Sequence, residues 1–175
     1  MVRTIWIVDG AYLFNAGRID YLKLKNKLEE AAGPIREGHY LNTIQDSTTD
    51  AQNAFHSWLK SAPPKGPKMR IHLYKLKNIH VDCPNCGHDF HRQVQKGVDV
   101  GITTLLIKLA VQNVYDRLIL TAGDGDFEDA IDYIKTDLKK EFWLNGMQDS
   151  LSTDLQSYAD QVLWMDDILP EILKS

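Results

Sequence analysis

The sequence predicts an α/β fold, a mainly parallel sheet covered by helices on both faces. Three observations carry that prediction. Short apolar runs bounded by turn residues alternate with longer segments of helical period, as strands joined by crossover helices do. Two of the runs lead directly into Asp/Gly turns, Asp9-Gly10 and Gly123-Asp124-Gly125-Asp126, and in parallel sheets the carboxyl edge is where ligands bind. The chain has 175 residues, 43% hydrophobic and 25% charged. That suits one soluble globular domain able to bury about 70% of its unfolded surface without cross-links.

Taken in order, the apolar run 4–8 is a buried strand, and Gly10 lets the backbone turn after Asp9. Residues 21–30 carry a helical period. The run 39–44 is the weakest strand candidate, 50–61 is helical, and the Pro/Gly cluster 62–67 forms a loop before a strand at 71–76. Residues 77–97 break the alternation: polar, aperiodic and rich in Cys and His, they read as an insertion. Helix 99–113 follows, opened by Gly97-Val98-Asp99, then strand 118–121, helix 127–135, strand 141–144, helix 151–159 and strand 162–165. With no internal repeat and no long linker, residues 1–175 are expected to form a single domain carrying the 77–97 insertion.

Two cysteines exclude a disulfide-rich scaffold. The apolar run 5–8 is too short for a signal peptide or a membrane span, so a cytoplasmic protein without membrane attachment is expected. The net charge of −4 divides unevenly. Residues 63–98 hold seven cations against two anions and four of the six histidines, whereas thirteen acids face four bases from Leu120 onward. A phosphate-contacting surface beside a carboxylate-rich one is one reading, and two solvated faces is the other.

Three strand-to-helix junctions each deliver a carboxylate: Asp9, Asp99, and the pair Asp124 and Asp126. Each has a local alternative as a helix cap or first-turn acid. Capping alone does not require that they meet at one pole, and carboxylates held close repel unless a proton or a hard cation lies between them.

Asp9-Gly10, Lys96-Gly97-Val98-Asp99-Val100-Gly101-Ile102, Gly123-Asp124-Gly125-Asp126-Phe127 and the stretch from Ser150-Leu151-Ser152 to Ala159-Asp160 together resemble the NYN domain. The closest branch is the LabA-like one of the PIN-like ribonuclease superfamily, and the resemblance runs through nearly the whole chain. It implies a PIN-like, Rossmann-like three-layer α/β/α fold and metal-dependent cleavage of RNA. It also implies that Asp9, Asp99, Asp124 and Asp126 are the catalytic acids, holding Mg²⁺ or Mn²⁺. Tyr12 stands where the family usually has Asn, with Asn15 a substitute, and Leu105 where many members have a further Asp. The substrate-contacting candidates are Tyr12, Asn15, Lys75, Lys77, Arg92, Lys96 and Thr103.

Cys83-Pro84-Asn85-Cys86-Gly87 has the spacing of a zinc knuckle. His88 and His91 are the expected completing ligands of a structural Zn²⁺, with His80 a third candidate; free thiols in a loop are the alternative. The functional expectation is a metal-dependent endoribonuclease with RNA as partner and oligomeric state open, a homodimer included. A decayed domain that docks RNA or protein is the second reading, favoured by Leu105 and Tyr12. A haloacid-dehalogenase-like phosphatase is a third, disfavoured because Ala11 stands where that chemistry needs a second Asp.

Overall fold

The computed structural model of the protein describes residues 1–94 and 97–175. Strand β1 (Thr4–Asp9) lies inside the sheet and is buried from Thr4 to Val8, which is why it is a continuous apolar run. Its alternation divides the core. Ile5 and Ile7 face one hydrophobic cluster, Trp6 and Val8 the other. The same division holds in β6 (Arg117–Thr121) and β7 (Glu141–Gly146), where Leu118, Leu120, Phe142 and Leu144 oppose Ile119 and Trp143.

The sheet has six strands in the order β3-β2-β1-β6-β7-β8, every neighbouring pair parallel, with β2 at Ile35–Ile44, β3 at Met69–Lys75 and β8 at Gln161–Trp164. The chain builds outward from β1 on one side, then returns to build outward on the other. The order therefore switches between β1 and β6, where two connections leave in opposite directions and open a crevice at the carboxyl edge.

One cluster takes its helical part from α4 (Val98–Val111), α5 (Glu128–Thr136) and α6 (Thr153–Tyr158). Val98, Ile102, Leu106, Leu109 and Ala110 place one stripe of α4 inward, at spacings of three, four and one. The other cluster is covered by α1 (Gly10–Ala16), α2 (Tyr21–Ala32), α3 (Asp50–Lys60) and α7 (Leu169–Ile172). Asp20 caps α2 by accepting the Leu22 and Lys23 amides, and Thr49 with Gln52 forms a capping box on α3. The α/β architecture with helices on both faces is as expected.

Two elements depart from expectation. A seven-residue helix, α1, forms where the sequence predicts only a turn, because seven residues are too few to display a helical period. The segment read as an aperiodic insertion forms an antiparallel hairpin, β4 (Lys77–Asp82) and β5 (Asp89–Val94), separate from the main sheet. Its clue was a weak alternation, Ile79 and Val81 against His80 and Asp82. Among the described residues no helix is long and apolar enough to cross a membrane.

Candidate active site

Asp9 ends β1 and caps α1. Its Oδ1 accepts the backbone N–H of Ala11 at 3.1 Å and of Tyr12 at 3.4 Å. The local reading of Asp9 as a cap is therefore correct, and the cap also fixes the carboxylate at the crevice. Asp124 follows β6 in the same way, with its Oδ1 accepting the Asp126 N–H at 2.9 Å across a single 3-10 turn, Gly125–Phe127. Asp126 is thus not the cap of the next helix: α5 starts at Glu128 with no side-chain cap. Asp99 lies in the first turn of α4, whose cap position is Gly97 at φ 108°, a left-handed conformation that glycine adopts without strain.

These junctions meet. Ligand oxygens of Asp99, Asp124 and Asp126 all lie within 4.8 Å of one another, and all three residues are exposed. Asp9 and Asp124 share the wall of a cleft of about 470 Å³ with Tyr12, Asn15, Gly123, Met147, Asp149 and Ser150. Among the described residues, no ion pair links Asp9, Asp99, Asp124 or Asp126 to a cation.

The crowding appears in the proton affinities. Burial raises the Asp9 carboxyl above its ordinary value; the Tyr12 and Ala11 amides oppose that rise, and the charges of Asp99 and Asp124 add to it. Asp99 is raised too, first by desolvation even though the residue is exposed, then by Asp124 and Asp126. A site built to repel its own charge in this way suits a divalent cation with oxygen ligands.

Sequence reasoning drew Ser150 into the family motifs but named no site residue in the loop after β7. Asp149 and Ser150 enter the cleft because Tyr12 fastens that loop: its hydroxyl accepts the Met147 N–H at 2.9 Å and bonds Ser150 Oγ at 2.8 Å. Burial is the main cause that raises the Tyr12 phenol. A Cβ on Gly123 would collide with the Ser150 carbonyl and the Tyr12 ring, so only glycine admits this approach. Behind the cleft, Thr121 Oγ1 accepts the Trp6 Nε1–H at 2.8 Å and donates to Asn145 Oδ1 at 2.7 Å. Asn145 Nδ2 in turn donates to the Leu163 carbonyl at 2.9 Å, so one polar chain ties four strands just beneath the crevice.

The other candidates are dispersed. Thr103 lies one turn beyond Asp99, half-buried and outside the cleft wall. Lys75 ends β3, Lys77 begins β4 and Arg92 lies on β5, all exposed and none lining the cleft. Lys96 lies outside the described residues. Cys83 and Cys86 lie in the hairpin turn, and the Cys83 thiol is held below its ordinary value by the Asn85 and Cys86 amides and then by the Cys86 thiol.

Among the described residues, no group of three potential ligands joins Cys83 or Cys86 to His88 or His91. His88 stacks on Phe90 with centroids 6.2 Å apart, while His91 pairs across the hairpin with His80 at 5.3 Å. Successive residues of a strand face opposite ways, and these contacts put His88 and His91 on opposite faces of the hairpin. Among the described residues the only other group of three potential metal ligands is His80, Asp82 and Asp89, in which His80 bonds Asp82 at 3.1 Å and Asp89 at 2.9 Å.

The family model of the NYN domain matches residues 3–166. A crystal structure of a protein of unknown function from Vibrio parahaemolyticus superposes with a TM-score of 0.69 at 22% identity, covering 99% of this chain and 97% of that one. No curated protein matches the sequence.

Proposed function

The chain belongs to the NYN domain family, a PIN-like nuclease family, and from that premise we propose that it is a metal-dependent endoribonuclease. The whole chain is read as one domain, with the acidic pole as its catalytic centre. The observation that carries this reading is the convergence of Asp99, Asp124 and Asp126 within 4.8 Å, beside Asp9. Their donor atoms are all carboxylate oxygens, the set Mg²⁺ or Mn²⁺ takes. When bound there, such an ion would supply charge neutralisation and a water of lowered pKa.

The chain's own residues do the rest. Asp9, Asp99, Asp124 and Asp126 would hold the ion and so fix where the scissile phosphate lies. A carboxylate of this pole neighbouring the ion would take the proton of the attacking water. Asn15 and Ser150 line the cleft as hydrogen-bonding contacts for the substrate strand. Tyr12 acts mainly through the loop it fastens.

Labelled single-stranded RNA incubated with Mn²⁺ tests the proposal. Wild type cleaves it, and Asp124→Asn and Asp126→Asn each lose at least about 100-fold in rate, since each removes charge stabilisation worth a few kcal/mol. A second reading, a docking module, is favoured by Leu105, which packs against the hydrophobic core where a further acid would otherwise stand. Salt-sensitive RNA binding without cleavage by wild type would establish it.

A further inference from the structure

The hairpin β4/β5 forms no part of the main sheet, and from Pro84 to Gln93 every residue is exposed. Its turn nevertheless has a definite shape. The Cys83 N–H donates to the His88 carbonyl at 2.9 Å, and the Gly87 N–H donates to the Cys83 carbonyl at 2.8 Å. Gly87 adopts φ 70°, a left-handed conformation that suits glycine. A Cys-x-x-Cys turn closed by these two amide bonds, with glycine after the second cysteine, has the form of half a tetrahedral thiolate site.

Among the described residues, no side chain of this chain completes the other half. His88 and His91 diverge to opposite faces of the hairpin, and the His80 ring is engaged by both Asp82 and Asp89. Neither cysteine belongs to a group of three potential ligands among the described residues. Zinc needs four ligands, and a two-fold axis through the ion supplies the missing two from an identical turn. Phe90, 42% exposed beside the turn, offers apolar surface for the same contact.

We propose that Cys83 and Cys86 of two copies of this chain bind one Zn²⁺ between them, so that the hairpin is a metal-bridged dimerisation device. The four thiols give up their protons to solvent, and four zinc–sulfur bonds form without any change of oxidation state. This inference is independent of the nuclease reading.

The test uses the full chain purified under reducing conditions and titrated with zinc chloride, with metal content measured by elemental analysis and mass by light scattering. The expected result is one zinc per two chains in a dimer that a strong chelator returns to monomer. Cys86→Ser remains monomeric with an unchanged melting temperature, because the turn lies outside both core clusters, whereas His88→Ala with His91→Ala still dimerises and keeps its zinc. One zinc per chain in a monomer would show an internal site and overturn the proposal. So would a protein that takes up no zinc, or a dimer that survives chelation.

Discussion

Tyr12 looks in the sequence like an aromatic side chain beside Asp9 that faces substrate. It does line the cleft, but its hydroxyl is committed to Met147 and Ser150. Tyr12→Phe keeps the ring and removes both bonds, leaving the Met147 N–H without its acceptor. The expected loss is about 1 kcal/mol, roughly 2–4 °C in melting temperature for a chain of this size. Thermal denaturation checks it, and an unchanged melting temperature would mean the loop does not depend on that hydroxyl. Asp9 shows what could be read in advance. Its place at the end of an apolar run made it visible, and its capping and clustering roles turned out to be compatible. Asp149 was not visible, because an acid in a polar loop carries no periodic signal.

Between β2 and β3, His39 Nδ1 and His72 Nε2 lie 3.1 Å apart, with Glu37 bonded to His39 Nε2 at 3.1 Å. Burial lowers the proton affinity of His39, opposed by Glu37 and reinforced by His72; His72 is lowered by burial and then by Arg70. With the folded-state values depressed, the unfolded chain binds more protons as pH falls below about 6.5, so stability is lost in that direction. Melting temperature should therefore fall as pH drops from 7.5 to 5.5. His39→Gln should flatten that slope whatever its effect at neutral pH, and an unaltered slope would assign the dependence elsewhere, for example to His56, which is also lowered by burial. The hairpin belongs to the same scale. Its half-exposed strands bury too little to show a strong pattern, so its alternation could be recognised only after the pairing was known.

Across the whole molecule, the net charge of −4 conceals a basic middle segment and an acidic C-terminal part of the sequence. Lys75 and Lys77 lie at or just beyond the carboxyl end of β3, the same sheet edge as Asp9 and Asp124 two and three strands away. If they contact phosphates, RNA binding by the uncleaving Asp124→Asn variant weakens with salt. Replacing both lysines by alanine then lowers the log–log slope by about 1.4, at about 0.7 per phosphate released from a single strand. Filter binding between 50 and 200 mM salt measures it, and an unchanged slope would remove both residues from the interface. The sequence by itself determined the two-sided sheet, most of its strands and the four aspartates, since backbone period and strand-end residues are local properties of the chain. Only the tertiary structure decided that Asp99, Asp124 and Asp126 meet, that the loop after β7 joins them, and that His88 and His91 take separate partners on the hairpin. Those facts depend on strand order and on the pleat of a paired hairpin, which are set by contacts between residues far apart in the chain.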